Sequence, residues 1–143
     1  MSPRPIPPHV LWWAFRLFTL LMWAQLTSRG LDYLTGNPDR GSGIFNVTDP
    51  TPPMVWGATG LTVSLVLAVG MLKGCRRIVL VGAFLAAAVN LSFAGVVVDD
   101  VLQPPLDDWR FFTDYCVKAC QWSIIAYVMY ITDAVEKHRQ KEE

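Results

Sequence analysis

The chain has little charge, almost no histidine and no paired cysteines. Charged residues make up 17% of its 143 positions against 52% hydrophobic ones, a balance too apolar for a water-soluble domain of this length. Its 12 basic and 12 acidic residues cancel, so no global field draws it to nucleic acid, and the basic patterns of nucleic-acid modules are missing. Cys75, Cys116 and Cys120 form no C-x-x-C and leave an odd count, which argues for free thiols rather than a disulfide framework or a zinc site. Cys116 and Cys120 share one helical face, but neither long loop holds the cysteine pair that a membrane thiol oxidoreductase needs. His9 and His138 lie in opposite terminal segments without a carboxylate at ligand spacing, and no serine has a histidine near it. The expectation is a non-enzymatic protein with no metal and no cofactor.

What the chain does have is four apolar runs. MSPRPIPPH puts four prolines in the first eight residues, and proline lacks the backbone donor a helix uses, so helix is predicted only after Pro8, with 1–8 as an extended arm. Residues 10–28 then read VLWWAFRLFTLLMWAQLTS, with Arg16 as their one charge. Tryptophan richness and the lack of an A-x-A cleavage pattern make this a retained span rather than a signal peptide. Residues 30–54, GLDYLTGNPDRGSGIFNVTDPTPPM, hold turn chemistry that hydrocarbon could not satisfy, so they are assigned to a loop. Runs 55–72 and 78–98 are separated only by KGCRR, which makes them an antiparallel hairpin. Run 111–131 is more polar, with Lys118 and Gln121, and leads into the charged tail 133–143. The fold class is therefore all-α: one domain, 1–143, forming a polytopic membrane protein of four transmembrane helices in an antiparallel bundle, with no strands.

Four spans place both termini and KGCRR on one side, with Arg4, Lys73, Arg76, Arg77, Lys137, Arg139 and Lys141. The other side has only Arg29, Arg40 and Arg110, against eight acids. Basic residues near span ends stay on the cytoplasmic side, so the expected location is the cytoplasmic membrane with both termini inside.

Several motifs invite function. VVVDDVLQPPLDDWRFF sets Asp99/Asp100 and Asp107/Asp108 around Pro104-Pro105; without EF-hand spacing this reads as a solvated external turn beside an aromatic belt, rather than a calcium site. Small residues recur every four positions, at Gly60, Ser64 and Ala68 and again at Gly82, Ala86, Asn90 and Ala94, the pattern of close helix packing in lipid. An antiparallel register pairs Gly60 with Ala94, Ser64 with Asn90 and Ala68 with Ala86. It predicts that Asn90 bonds across to Ser64 or to a backbone carbonyl, a contact of about 0.6–2 kcal/mol. Pore lining is the alternative for Asn90, and the continuous stripe favours packing. Arg16, near the start of its helix, and Lys118, four residues after Asp114, are the basic side chains inside apolar runs. Both are read as interfacial anchors, the alternatives being a channel wall or an interhelical contact. Asn46-Val47-Thr48 is a glycosylation sequon in the external loop.

The Pro-rich start, the Trp-rich first span, LDYLTG at 31–36, PMVWG at 53–57, the small-residue hairpin and the short charged tail resemble small four-helix membrane proteins of actinobacterial phages. Some of these are called holin-like. The resemblance implies a non-enzymatic homo-oligomer that permeabilises the membrane, and it carries over no functional residue. Such a protein would associate through its small-residue faces and line a lesion with Arg16, Gln25, Lys118 and Gln121. Two alternatives stand beside it: an accessory or structural subunit packed against other membrane helices, and a small channel or transporter with a site near Asn90. The partners expected throughout are lipid and membrane helices, not nucleic acid.

Overall fold

The computed structural model describes residues 8–35, 53–102 and 109–142. The arm 1–7, the Asn46 sequon and the Asp107/Asp108 pair lie outside them. Four helices make up the described chain: α1 (Pro8–Thr35), α2 (Pro53–Leu72), α3 (Arg76–Val101) and α4 (Trp109–Glu142). Three of them, α1, α2 and α3, are long and apolar enough to cross a membrane. α4 is more polar and is not among these.

The helix ends differ from expectation in ways that have local causes. α1 begins on Pro8 itself, and α2 on Pro53, because a first-turn position has no use for the donor proline lacks and its fixed φ suits a helix start. α1 also runs on to Thr35, so residues 30–35 are helical rather than loop. Gly30 is buried against α2, where a Cβ on it would lie 2.9 Å from Leu61 Cγ. That packing outweighs the roughly 1 kcal/mol by which glycine disfavours a helix. α3 continues to Val101, which puts the Asp99/Asp100 backbone in the helix rather than in the acidic turn. α4 absorbs the tail to Glu142, supported by Lys137 on Asp133 one turn before it at 2.5 Å.

The turn between α2 and α3 is a Schellman cap. Gly74 adopts φ 62°, its N–H donates to Met71 O at 3.2 Å, and Cys75 N–H donates to Gly70 O at 2.9 Å. The left-handed residue at that position is nearly always glycine, since a Cβ would be strained. Cys75 O then accepts from Ile78 N–H and Val79 N–H, which starts α3.

Consecutive helices run antiparallel, with α1 on α2, α2 on α3 and, most extensively, α3 on α4. One end of the bundle, here the turn end, holds the Gly74 turn and both chain ends. The other, the loop end, holds the two longer connections. Leu67, Ala83, Ala86, Trp122 and Ile125 form the middle of the core. Outward, the three apolar helices bury only 11%, 33% and 39% of their most hydrophobic windows; Leu17, Leu21, Leu65, Phe84 and Leu91 are exposed. A surface this apolar belongs in lipid.

The hairpin register differs from the expected one. A Cβ on Gly82 would meet Leu67 Cδ2 at 2.8 Å, and one on Gly70 would meet Val79 N at 2.9 Å, whereas the expected pairing sets Gly82 opposite Leu72. Gly60 is correspondingly turned from Ala94 to α1, where a Cβ on it would lie 3.6 Å from Gly30 Cα. Small residues every four positions fit several registers equally well, and the bulk of Leu67 seated over Gly82 selects this one.

Candidate functional site

Small residues bring α1 and α2 together at the loop end. A Cβ on Gly57 would lie 2.8 Å from Leu34 N and 2.9 Å from Gly30 O, so only glycine allows this backbone-to-backbone approach. Gly30 is thereby fixed about 6 Å inside the start of α2, four residues at 1.5 Å each. Its neighbour Arg29 is held at the edge of the span. Deeper in, Trp23 Nε1–H donates to Ser64 O at 2.9 Å, and Thr27 Oγ1 and Ser64 Oγ are 2.5 Å apart. Since the Thr27 hydroxyl donates to Trp23 O, Ser64 is the donor between them. Ser64 is thus occupied by α1, which corrects its expected pairing with Asn90. The Asn90 amide donates instead to Ala86 O of its own helix at 2.8 Å, a bond its rotamer makes without help from α2.

α4 presents its polar face to the same place. Arg29 Nη2 donates to Asp114 Oδ2 at 2.7 Å, and Lys118 Nζ donates to the same oxygen. Lys118 is 7% exposed, while Arg29 and Asp114 are about one-third exposed. Lys118 is therefore buried inside the bundle rather than reaching an interface, and its charge is shielded, as the spacing predicts, by Asp114 of its own helix. Two cations share one carboxylate, leaving a local excess of positive charge. The Arg29 guanidinium lies 5.2 Å and Lys118 Nζ 5.8 Å from the Tyr115 ring centroid, contacts that partly stabilise the excess.

Beneath the charges stands an aromatic stack with one ring from each helix. Phe93 of α3 lies between Tyr33 of α1, with centroids 5.3 Å apart, and Tyr115 of α4, 4.9 Å away; Trp56 of α2 tilts onto it at 4.4 Å. The Tyr33 and Tyr115 hydroxyls share a 2.5 Å hydrogen bond. Rings and charges line a pocket of about 30 Å³, together with Gln25 and Asn90, which is room for one or two waters.

The remaining expected residues disperse. Arg16 lies near the turn end, its guanidinium 5.4 Å from the Trp12 ring and 5.9 Å from the Trp13 ring. Gln25 is exposed and Gln121 half-buried. Nine positions separate Arg16 from Gln25, two and a half helical turns, so they lie on opposite faces of α1 and line no common path in the protomer. Ala86 and Ala94 are buried and Ala68 is half-buried. Cys75, Cys116 and Cys120 are free. Among the described residues no three histidine, cysteine, aspartate or glutamate side chains cluster as a metal site would require.

Sequence reasoning missed Arg29, Tyr33, Trp56, Phe93 and Tyr115 as a group. Asp114 and Lys118 were legible as an i,i+4 pair; the signal for their third member was Arg29 at the charged edge of a tryptophan-rich run. The chain matches no protein family, no curated protein and no solved structure.

Proposed function

We propose that the chain is a four-span, non-enzymatic protein of the cytoplasmic membrane, with both termini inside, and that it permeabilises the bilayer by self-association in the manner of a holin. α4 is its fourth span: between 111 and 131 its two charges, Asp114 and Lys118, are paired with each other, while Val117, Ile124, Tyr127 and Ile131 face outward.

The observation that carries the permeabilising reading is how α1 meets α4. The extensive contacts join consecutive helices, and α1 with α4 is not among them. That seam is held largely by the Arg29–Asp114 ion pair and the Tyr33–Tyr115 hydroxyls. Hydrocarbon keeps such a seam shut, because parted charges would be stranded there. Neighbouring copies or water can satisfy the same groups, and an opened seam then offers a polar wall of Arg29, Asp114, Lys118 and Gln25. Helix associations in lipid differ by modest free energies, so accumulation of copies can tip the balance.

Expression under a tight promoter, with membrane potential followed by dye, tests this. Wild type is expected to collapse the potential abruptly. The triple variant Arg29→Met, Asp114→Leu, Lys118→Met, which replaces the charges with apolar groups of similar bulk, is expected to insert to the same level and leave the potential intact. A wild-type protein that accumulates without any effect would overturn the reading and leave the accessory-subunit role in its place. Tags at both ends, probed by protease on sealed vesicles, test the four-span topology: cleavage of one and protection of the other would exclude it.

A further inference from the structure

The turn end of the bundle carries a cleft of about 590 Å³, in the size range of sites that hold a sizeable organic ligand. Its walls are apolar side chains of all four helices, including Phe15 and Leu20 of α1, Met71 of α2, Val79 of α3 and Met129 of α4. Arg16 and Arg76 stand among them. Arg16 contacts the rings of Trp12 and Trp13 and has no carboxylate partner among the described residues. Arg76 bonds Glu136, whose side chain is half exposed to the surroundings. The cleft thus combines a greasy floor with a net positive rim, next to the basic turn residues Lys73 and Arg77.

We infer that this cleft binds one anionic phospholipid from the leaflet at the turn end, its acyl chains along the Phe15–Leu20–Met71–Val79 wall and its phosphate on Arg16. Charge complementarity selects this occupant. A guanidinium within an apolar span needs an anion, and the described chain supplies none, whereas the leaflet facing a basic turn is rich in anionic headgroups. Basic pockets between membrane helices on that side hold such headgroups. Arg16 suits the task better than lysine, because its planar fork meets phosphate oxygens in pairs while its faces remain stacked on tryptophan. The inference rests on the chain being membrane-embedded with its turn end on the cytoplasmic side, and is independent of whether it permeabilises.

The test is native mass spectrometry of the full chain, released from neutral detergent after titration with phosphatidylglycerol or with phosphatidylcholine of the same acyl composition. The expected result is one retained phosphatidylglycerol per protomer, in clear preference to phosphatidylcholine. Arg16→Gln should reduce that preference about fivefold, the weight of one basic side chain against an anionic surface, and Arg16→Lys should restore part of it. Arg139→Gln, on the exposed tail outside the cleft, should leave it unchanged. Ala68→Phe, which fills the wall with both arginines intact, should expel either lipid and keeps the idea testable should Arg16→Gln fail to fold. Equal retention of the two lipids, equal retention of inorganic phosphate, an Arg16→Gln preference like wild type, or a second copy of the chain seated in the lipid's place would each overturn the inference.

Discussion

At the loop end one carboxylate, Asp114, holds Arg29 and Lys118 over a stack of four aromatic rings. At the turn end two carboxylates, Asp133 and Glu136, meet Arg76, Arg77 and Lys137 within reach of water. The loop end leaves about 30 Å³ between its helices, while the turn end leaves about 590 Å³. Ionic contacts of similar kind therefore do different work. Water can replace any partner lost at the turn end, so the pairs there add little. At the loop end the ammonium of Lys118 is buried with room for only one or two waters beside it, so the carboxylate it shares with Arg29 matters more there. Glycines explain why the loop end is the more tightly packed: Gly30, Gly57 and Gly60 let α1 and α2 touch there. Nearer the turn end, Trp12, Phe15 and Arg16 line the cleft and keep α1 apart.

The comparison is broken most directly by removing one carboxylate from each end. Asp114→Asn should cost about 3 kcal/mol, because it leaves the buried ammonium of Lys118 without its counter-charge, whereas Glu136→Gln should cost less than about 1 kcal/mol. Thermal unfolding in detergent micelles measures both, and equal losses would refute the contrast. Glycine exchange sharpens it next. Gly57→Ala must push backbone from backbone, at about 1–3 kcal/mol, and should lower Trp23 burial as α1 shifts. Gly74→Ala meets open space and is strained only by its positive φ, so it should cost about 1 kcal/mol and leave helix packing unchanged.

The smallest effect is on acidity. The hydrogen bond from Lys137, with the charge of Arg77 beside it, holds the Asp133 carboxyl below its ordinary range. A depressed folded value means a stabilising contribution that is complete above the unfolded aspartate pKa of about 3.9 and is lost as pH falls through the lowered folded value. Wild type and Asp133→Asn should therefore differ slightly in stability at neutral pH and converge in strong acid. A gap that persists or widens below that range would assign the effect to packing instead.

Much of the fold was legible. Apolar runs of span length gave four helices, KGCRR gave the hairpin turn, and the Asp114–Lys118 spacing gave a real ion pair. The hairpin stripe was legible as a packing surface but not as a register, since a repeat of small residues every four positions matches itself after each turn. Gly30 and LDYLT read as loop because they open a stretch dense in Gly, Pro, Asn and Asp, while the close seat on α2 keeps them helical.

By itself the sequence determined the chain's solvent and its elements: 52% hydrophobic residues in long uninterrupted runs leave a helix as the one local structure that satisfies its own backbone in lipid. Only the tertiary structure decided that Ser64 serves Thr27 rather than Asn90, and that Arg29 reaches a carboxylate 85 residues away. Helicity is set by neighbours in the chain. The rotation and register of one helix on another are set by which side chains interlock, and that depends on every helix at once.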